Sequence, residues 1–171
     1  MSGTIAETQR RHDIDWLRVL ATLIVLLFHC ARYFDHEGWH VKNPQQSTAM
    51  MVLVGFLVQW MMPLFFILSA MSSAFVLSRR STGRYLGDRV KRLLVPFLLG
   101  TFVVLIPVQV WIERVTHGDY DGGFWSFYPH YFDGWYAFGG NFAWMGLHLW
   151  YLQMLFLFSV LTVPLFRILL K

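Results

Sequence analysis

Four long apolar stretches punctuate this chain, separated by segments where charged and polar residues gather. They run approximately over residues 16–34, 49–77, 93–112 and 147–170. An α-helix needs about 20 residues to cross a bilayer. The pattern therefore predicts an all-α fold, a polytopic transmembrane helix bundle with four spans in one domain. The second stretch is long enough to tilt, and Pro63 in its middle predicts a kink. Pro96 and Pro107 stand near the two ends of the third stretch, and Pro164 late in the fourth.

Composition supports the same class. The 171 residues are 56% hydrophobic and only 14% charged, against about 25% charged in soluble domains. A net charge of +4 and a pI near 9.5 can signal nucleic acid. Here the basic residues sit at the ends of the apolar spans, so the expected partner is the bilayer, and no nucleic acid is expected. Eleven Lys and Arg fall on one side of the predicted spans: Arg10, Arg11, Arg18, six between Arg79 and Arg92, Arg167 and Lys171. Arg32, Lys42 and Arg114 fall on the other. The positive-inside rule then predicts both termini in the cytoplasm, with a bacterial inner membrane as the expected location. The lone Cys30 excludes an intrachain disulfide. The first span carries polar groups and no cleavage site of small residues follows it, which predicts a retained helix rather than a cleaved signal.

The chemistry starts in that first span, DWLRVLATLIVLLFHC. Arg18 and His29 are eleven residues apart, which returns to within about 20° of the same helical face over roughly 16 Å. Ionisable groups inside a span are costly and mark function by default. An arginine that snorkels to the surface, beside a histidine hydrogen-bonded to a neighbouring helix, is the other reading of the same pair.

Four stretches in order carry a resemblance: the Arg, ten residues, His pattern of the first span; MPLFFILSA in the second; YLGDRVKRLLVPF, with Arg89 and Arg92, before the third; and HLWYL at the fourth. Together they resemble the membrane-bound acyltransferase-3 family, and within it the branch associated with succinylating periplasmic glucans. Members often read FFVLSGF where this chain has FFILSAM, so Ala70 stands in place of a glycine. Members have about ten spans, so the resemblance implies the N-terminal part of a longer bundle, with a C-terminal half or another subunit as a further partner.

The resemblance implies an acyltransferase that moves an acetyl or succinyl group from acyl-CoA to a hydroxyl of an envelope carbohydrate. It implies His29 as the catalytic residue. Imidazole titrates near cellular pH and suits a general base, while an acyl-histidine intermediate is the alternative chemistry. It implies Arg18, Arg89 and Arg92 as cofactor-binding residues, because guanidinium groups grip phosphate oxygens bidentately. Positive-inside topology accounts for the same three arginines without a ligand. A non-catalytic or transporter-like protein with a polar intramembrane path is the rival reading.

Other residues carry less. Ser69 and Ser73, four apart, read as small residues that let helices approach. His148 at the head of the fourth span reads as interfacial or site-lining. His36 and His40 share a helical spacing, but only Glu37 lies near, so no metal is assigned. Glu113 and Arg114 read as an interfacial ion pair. Twelve aromatic residues lie between Tyr120 and Trp144. A soluble loop does not expose so many, which predicts a re-entrant or amphipathic segment at the interface. Its rings could also stack on sugars.

Overall fold

The computed structural model describes residues 12–38, 42–136 and 138–169. Arg10, Arg11, His40, Leu170 and Lys171 lie outside the described residues. All regular structure among the described residues is helical, with one isolated bridge between Trp135 and Phe138. The chain forms two compact units that divide after Ser69.

The first unit holds α1, His12–Arg32, and most of α2, Thr48–Leu77. α1 starts a turn earlier than its apolar pattern, because Asp13 and Asp15 in its first turn suit the positive end of the helix dipole. It packs on α2 through Ile14, Ala21, Leu64, Phe65 and Leu68. Pro63 lies inside α2, which continues past it as a single 30-residue helix.

The second unit departs further from the apolar pattern. The third span belongs to a 36-residue helix, α3, Thr82–His117, which at 1.5 Å per residue is about 54 Å long and exceeds a bilayer's hydrocarbon of about 30 Å. Ser81 caps its start by accepting from the Arg84 N–H. Arg84, Arg89, Lys91 and Arg92 are therefore helical, and the connection expected to hold them shrinks to residues 78–81.

Two prolines ought to end such a helix, since each removes an N–H and crowds the carbonyl four residues back. α3 survives them by widening. π-helical turns, Val90–Leu94 and Gly100–Val104, stand just before Pro96 and Pro107. In the second, the Leu105 N–H reaches back five residues to the Gly100 carbonyl at 3.0 Å. The Thr101 carbonyl thus loses the partner a regular helix would give it. α3 ends at Gly118, whose φ of 76° is the left-handed conformation that glycine accepts freely.

The aromatic segment after α3 folds back along the end of α3 as a cap. A short turn, α4 (Phe124–Phe127), and a 3-10 turn at His130–Phe132 bury Phe127, Tyr131 and Ala143 against Ile106 and Val110 of α3. The interfacial segment expected from the sequence thus has its own packed core. The Tyr131 hydroxyl donates to the Thr101 carbonyl at 2.7 Å and the Tyr128 hydroxyl to Phe102 at 2.5 Å. The cap supplies the donors that the π turn withdrew.

Gly146 then sits against Thr101 and Phe97, some twelve residues before Glu113 along α3. The fourth apolar segment consequently begins roughly 18 Å along the helix axis from Glu113, at the outer end that the sequence pattern gave the third span and with which it set the fourth level. It is a bent pair, α5 (Trp150–Leu161) and α6 (Val163–Leu169), meeting at 48°. The bend falls at Thr162, two residues before Pro164, which has no N–H to give the Val160 carbonyl and crowds it. Val163 and Phe166 pack on Leu77 and Tyr85. Arg167 donates to the Leu77 carbonyl (2.9 Å), the Arg80 carbonyl (2.7 Å) and the Thr82 hydroxyl (3.0 Å). It closes the C-terminal end of α2.

Candidate functional site

α1 carries Arg18 and His29 on one face, as their spacing predicts. His29 is exposed in its helix, and its Nδ1 lies 2.8 Å from the Val25 carbonyl oxygen, one turn back. A carbonyl only accepts, so Nδ1 carries the proton and donates it. In the neutral ring Nε2 then bears the lone pair. That division of roles is the one a general base needs. The Phe28 ring meets the imidazole edge-on at 5.2 Å. Arg18 is half-exposed and pairs with Asp15 at 3.8 Å, a long surface ion pair of small energetic weight.

Beyond His29, the end of α1 is tied into a charged knot that the sequence reading missed. Asp35 is fully buried and takes ion pairs from Arg32 at 2.6 Å and from Lys42. Arg32 also reaches Glu37 at 2.7 Å. The Lys42 ammonium donates to the backbone carbonyls of Arg32 and Asp35, so a cation satisfies the carboxyl end of the helix. Burial works to raise the Asp35 pKa. The Lys42 hydrogen bond and the two nearby cations outweigh it and hold the carboxyl below its ordinary 3.8. Arg32 and Lys42 therefore do more than mark the sparsely basic side of the topology. The three-residue step from Arg32 to Asp35 was the available signal.

In the second unit, Arg89 is built into the helix packing. Its guanidinium donates to the Ser73 hydroxyl at 2.7 Å and lies 5.0 Å from the centre of the Tyr85 ring, a cation–π distance. Tyr85 donates to the same hydroxyl at 3.0 Å. Ser73 is thus a buried hydrogen-bond hub as well as a small residue at a helix contact. Arg92, three residues on, is exposed. Arg80 pairs with Asp88 at 3.0 Å.

The remaining candidates resolve individually. Arg114 pairs with Asp119 at 3.3 Å, and also donates to Asn141 and to the Gly140 carbonyl. His36 meets Gln46 at 3.0 Å and Thr48 at 3.4 Å. His148 is exposed in the 3-10 turn that leads into α5. Among the described residues, no three His, Cys, Asp or Glu side chains gather as a metal site would.

Long helices apolar enough to cross a bilayer define an integral membrane protein. The chain belongs to the acyltransferase-3 family, whose model, described as an acyltransferase domain, matches residues 11–171. It is similar to proteins named glucans biosynthesis protein C from Escherichia coli strain SMS-3-5, E. coli strain K12 and Shigella dysenteriae serotype 1. Each is 24% identical over 160 residues, covering 93% of this chain and 40% of the relative. The chain thus spans about 40% of the length of these curated relatives. No solved structure matches it.

Proposed function

We propose that this chain is the N-terminal part of a membrane O-acyltransferase that takes an acetyl or succinyl group from acyl-CoA and delivers it to a hydroxyl of an envelope glycan. Family membership supports the reaction class, and the name of the relatives supports a glucan acceptor. The observation that carries the reading is the His29 hydrogen bond: with Nδ1–H committed to Val25, Nε2 is the basic nitrogen.

In this reading Nε2 takes the proton of the acceptor hydroxyl as its oxygen attacks the thioester carbonyl. The carbon–sulfur bond breaks, and the imidazolium returns the proton to the departing thiolate. Arg18 lies about 16 Å from His29 along α1, comparable to a pantetheine arm, and would hold the donor's phosphates as the thioester approaches the imidazole. Arg89 and Arg92 are the second pair of phosphate ligands. The glycan side faces the periplasm and both termini face the cytoplasm of an inner membrane.

The test is acyl-CoA turnover and glycan acylation by membranes carrying the chain, and by membranes carrying any longer reading frame that contains it. The expected result is acylated glycan that disappears in His29→Ala at unchanged membrane abundance. Arg18→Ala should raise KM for the donor, with a smaller change in kcat. Transfer that survives His29→Ala overturns the proposal.

A further inference from the structure

The cap presents a small built surface that the catalytic reading leaves unused. Trp135 and Phe138 face each other across a two-residue turn, closed by Trp135 N–H to Phe138 O at 3.1 Å and Phe138 N–H to Trp135 O at 2.8 Å. Directly opposed residues of an antiparallel pair project their side chains to the same face, which places the two rings, the ledge, on one side of the turn. They are 71% and 79% exposed. Tyr136 in the turn has φ of 50°, and its hydroxyl meets Gln153 of α5 at 3.4 Å. Arg114 ties down the Gly140 carbonyl and Asn141 behind it. Trp144 stands beside the ledge, its ring centre 6.4 Å from that of Trp135 with 40° between the planes.

Polar groups flank the rings. Asp133, two residues before Trp135, is 69% exposed in its side chain and lies 3.4 Å from His130, itself 63% exposed. That flank decides the occupant. Insertion of the ledge into lipid would drag a carboxylate and an imidazole toward hydrocarbon, which is costly, and an acidic flank repels anionic headgroups. A neutral polyhydroxylated ring suits both halves of the surface: its C–H face lies on the electron-rich aromatic faces, and its hydroxyls donate to the Asp133 carboxylate.

We propose that Trp135 and Phe138, with Asp133 at their side, form a pyranose-binding ledge of the cap. Its ligand is the carbohydrate acceptor, an identification that rests on the acyltransferase reading. The ledge is a binding surface and takes no part in bond making.

The test is titration of the chain, in phosphatidylcholine nanodiscs and without any acyl donor, with β-linked gluco-oligosaccharides. Binding is followed by tryptophan fluorescence and calorimetry. Saturable binding is expected, with Trp135→Ala and Phe138→Ala each weakening it about ten-fold, Asp133→Asn weakening it less, and Trp125→Ala, at an exposed ring elsewhere on the cap, leaving it unchanged. The melting temperatures of all four variants verify folding. Trp135→Phe keeps a ring in place and should retain most of the binding. A second arm uses phosphatidylcholine brominated in its acyl chains. Quenching that Trp135→Phe removes, with no oligosaccharide effect, would make the ledge a lipid anchor and overturn the proposal, as would oligosaccharide binding indifferent to Trp135 and Phe138. Because no donor is present, His29→Ala should bind sugar normally. Transfer that survives His29→Ala, with sugar binding intact, therefore counts against the catalytic reading alone. Transfer with the ledge irrelevant to binding counts against this inference alone.

Discussion

A single carboxylate shows how much one residue settles in this chain. Asp35 carries no exposed surface and is satisfied by Arg32 and Lys42, so removing it leaves Lys42 without its carboxylate and Arg32 with Glu37 alone. Breaking such a buried pair costs about 3–5 kcal/mol, and Asp35→Ala should lower the thermal unfolding temperature clearly in detergent or nanodiscs. The pH dependence has a defined sign. The Asp35 pKa is depressed on folding, so its contribution is complete above the unfolded value near 3.8 and is lost as pH falls through the lower folded value. Melting followed from pH 7 to pH 3 should show an acid-side loss of stability that is smaller in Asp35→Asn. Equal acid sensitivity in both proteins would remove Asp35 from the account. At this scale the sequence was partly legible. The one-face placement of Arg18 and His29 follows from spacing alone, whereas the proton on His29 Nδ1 depends on the Val25 carbonyl, which no residue pattern reveals. Ser73 read as a packing residue because its partners, Tyr85 and Arg89, lie 12 and 16 residues away.

Among elements, α3 and the cap must be understood together. The π turn at Gly100–Val104 and the hydroxyls of Tyr128 and Tyr131 are two halves of one hydrogen-bond arrangement, and burial raises the Tyr131 pKa, with Tyr128 adding to the rise. Tyr131 therefore remains a proton donor far into the alkaline range. Gly146 and Gly100 separate two kinds of tight place on this contact. A Cβ on Gly146 would lie 2.6 Å from Thr101 Oγ1 and 2.8 Å from Phe97 Cε2, in a backbone with φ of 74°. Strain and overpacking together should cost at least about 2 kcal/mol in Gly146→Ala. A Cβ on Gly100 meets only the Leu149 Cδ1 methyl at 2.6 Å, the far end of a flexible side chain, and the helix gains from alanine. Thermal melting should therefore rank Gly146→Ala well below Gly100→Ala, and equal melting temperatures would contradict the described contact. The apolar pattern located three helices long and apolar enough to span and a bent helical pair, three to four candidate spans, because hydropathy dominates in a membrane. It missed the extension of α3 to 36 residues because charged residues, which hydropathy reads as loop, are fully compatible with helix. It did not reveal the packed core of the cap, because aromatic content alone does not separate rings that pack on one another from rings that face outward.

For the molecule as a whole, the second unit is closed by Arg167, which reaches 85 to 90 residues back in sequence to Thr82 and Leu77. Counting basic residues assigned Arg167 a topological role, and its hydrogen bonds add a structural one. Arg167→Ala would leave the part-buried Leu77 carbonyl and the exposed Arg80 carbonyl without this donor, at about 0.5–1.5 kcal/mol. It should also quicken trypsin cleavage at Arg79 and Arg80 in membranes opened on that side. Cleavage as slow as in the unaltered chain would show that the contact does not hold the end of α2. The fold class follows from composition and periodicity, but how the last segment meets α3 does not, since it is set by close approach at Gly100 and Gly146. The two wide turns of α3 have one more consequence. Each accommodates an additional residue without completing an additional turn, so the basic end and the cap-bearing end of the helix are set in phase by them. Deleting one residue from Gly100–Val104 would let that turn close as a regular one and leave the two ends near their present phase, whereas deleting one from a regular stretch of α3 would rotate one end against the other by about 100°. In this helix the wide turns are where a one-residue change in a descendant gene is absorbed, and elsewhere such a change would be felt as a turn of the cap rather than as a shortening of the span.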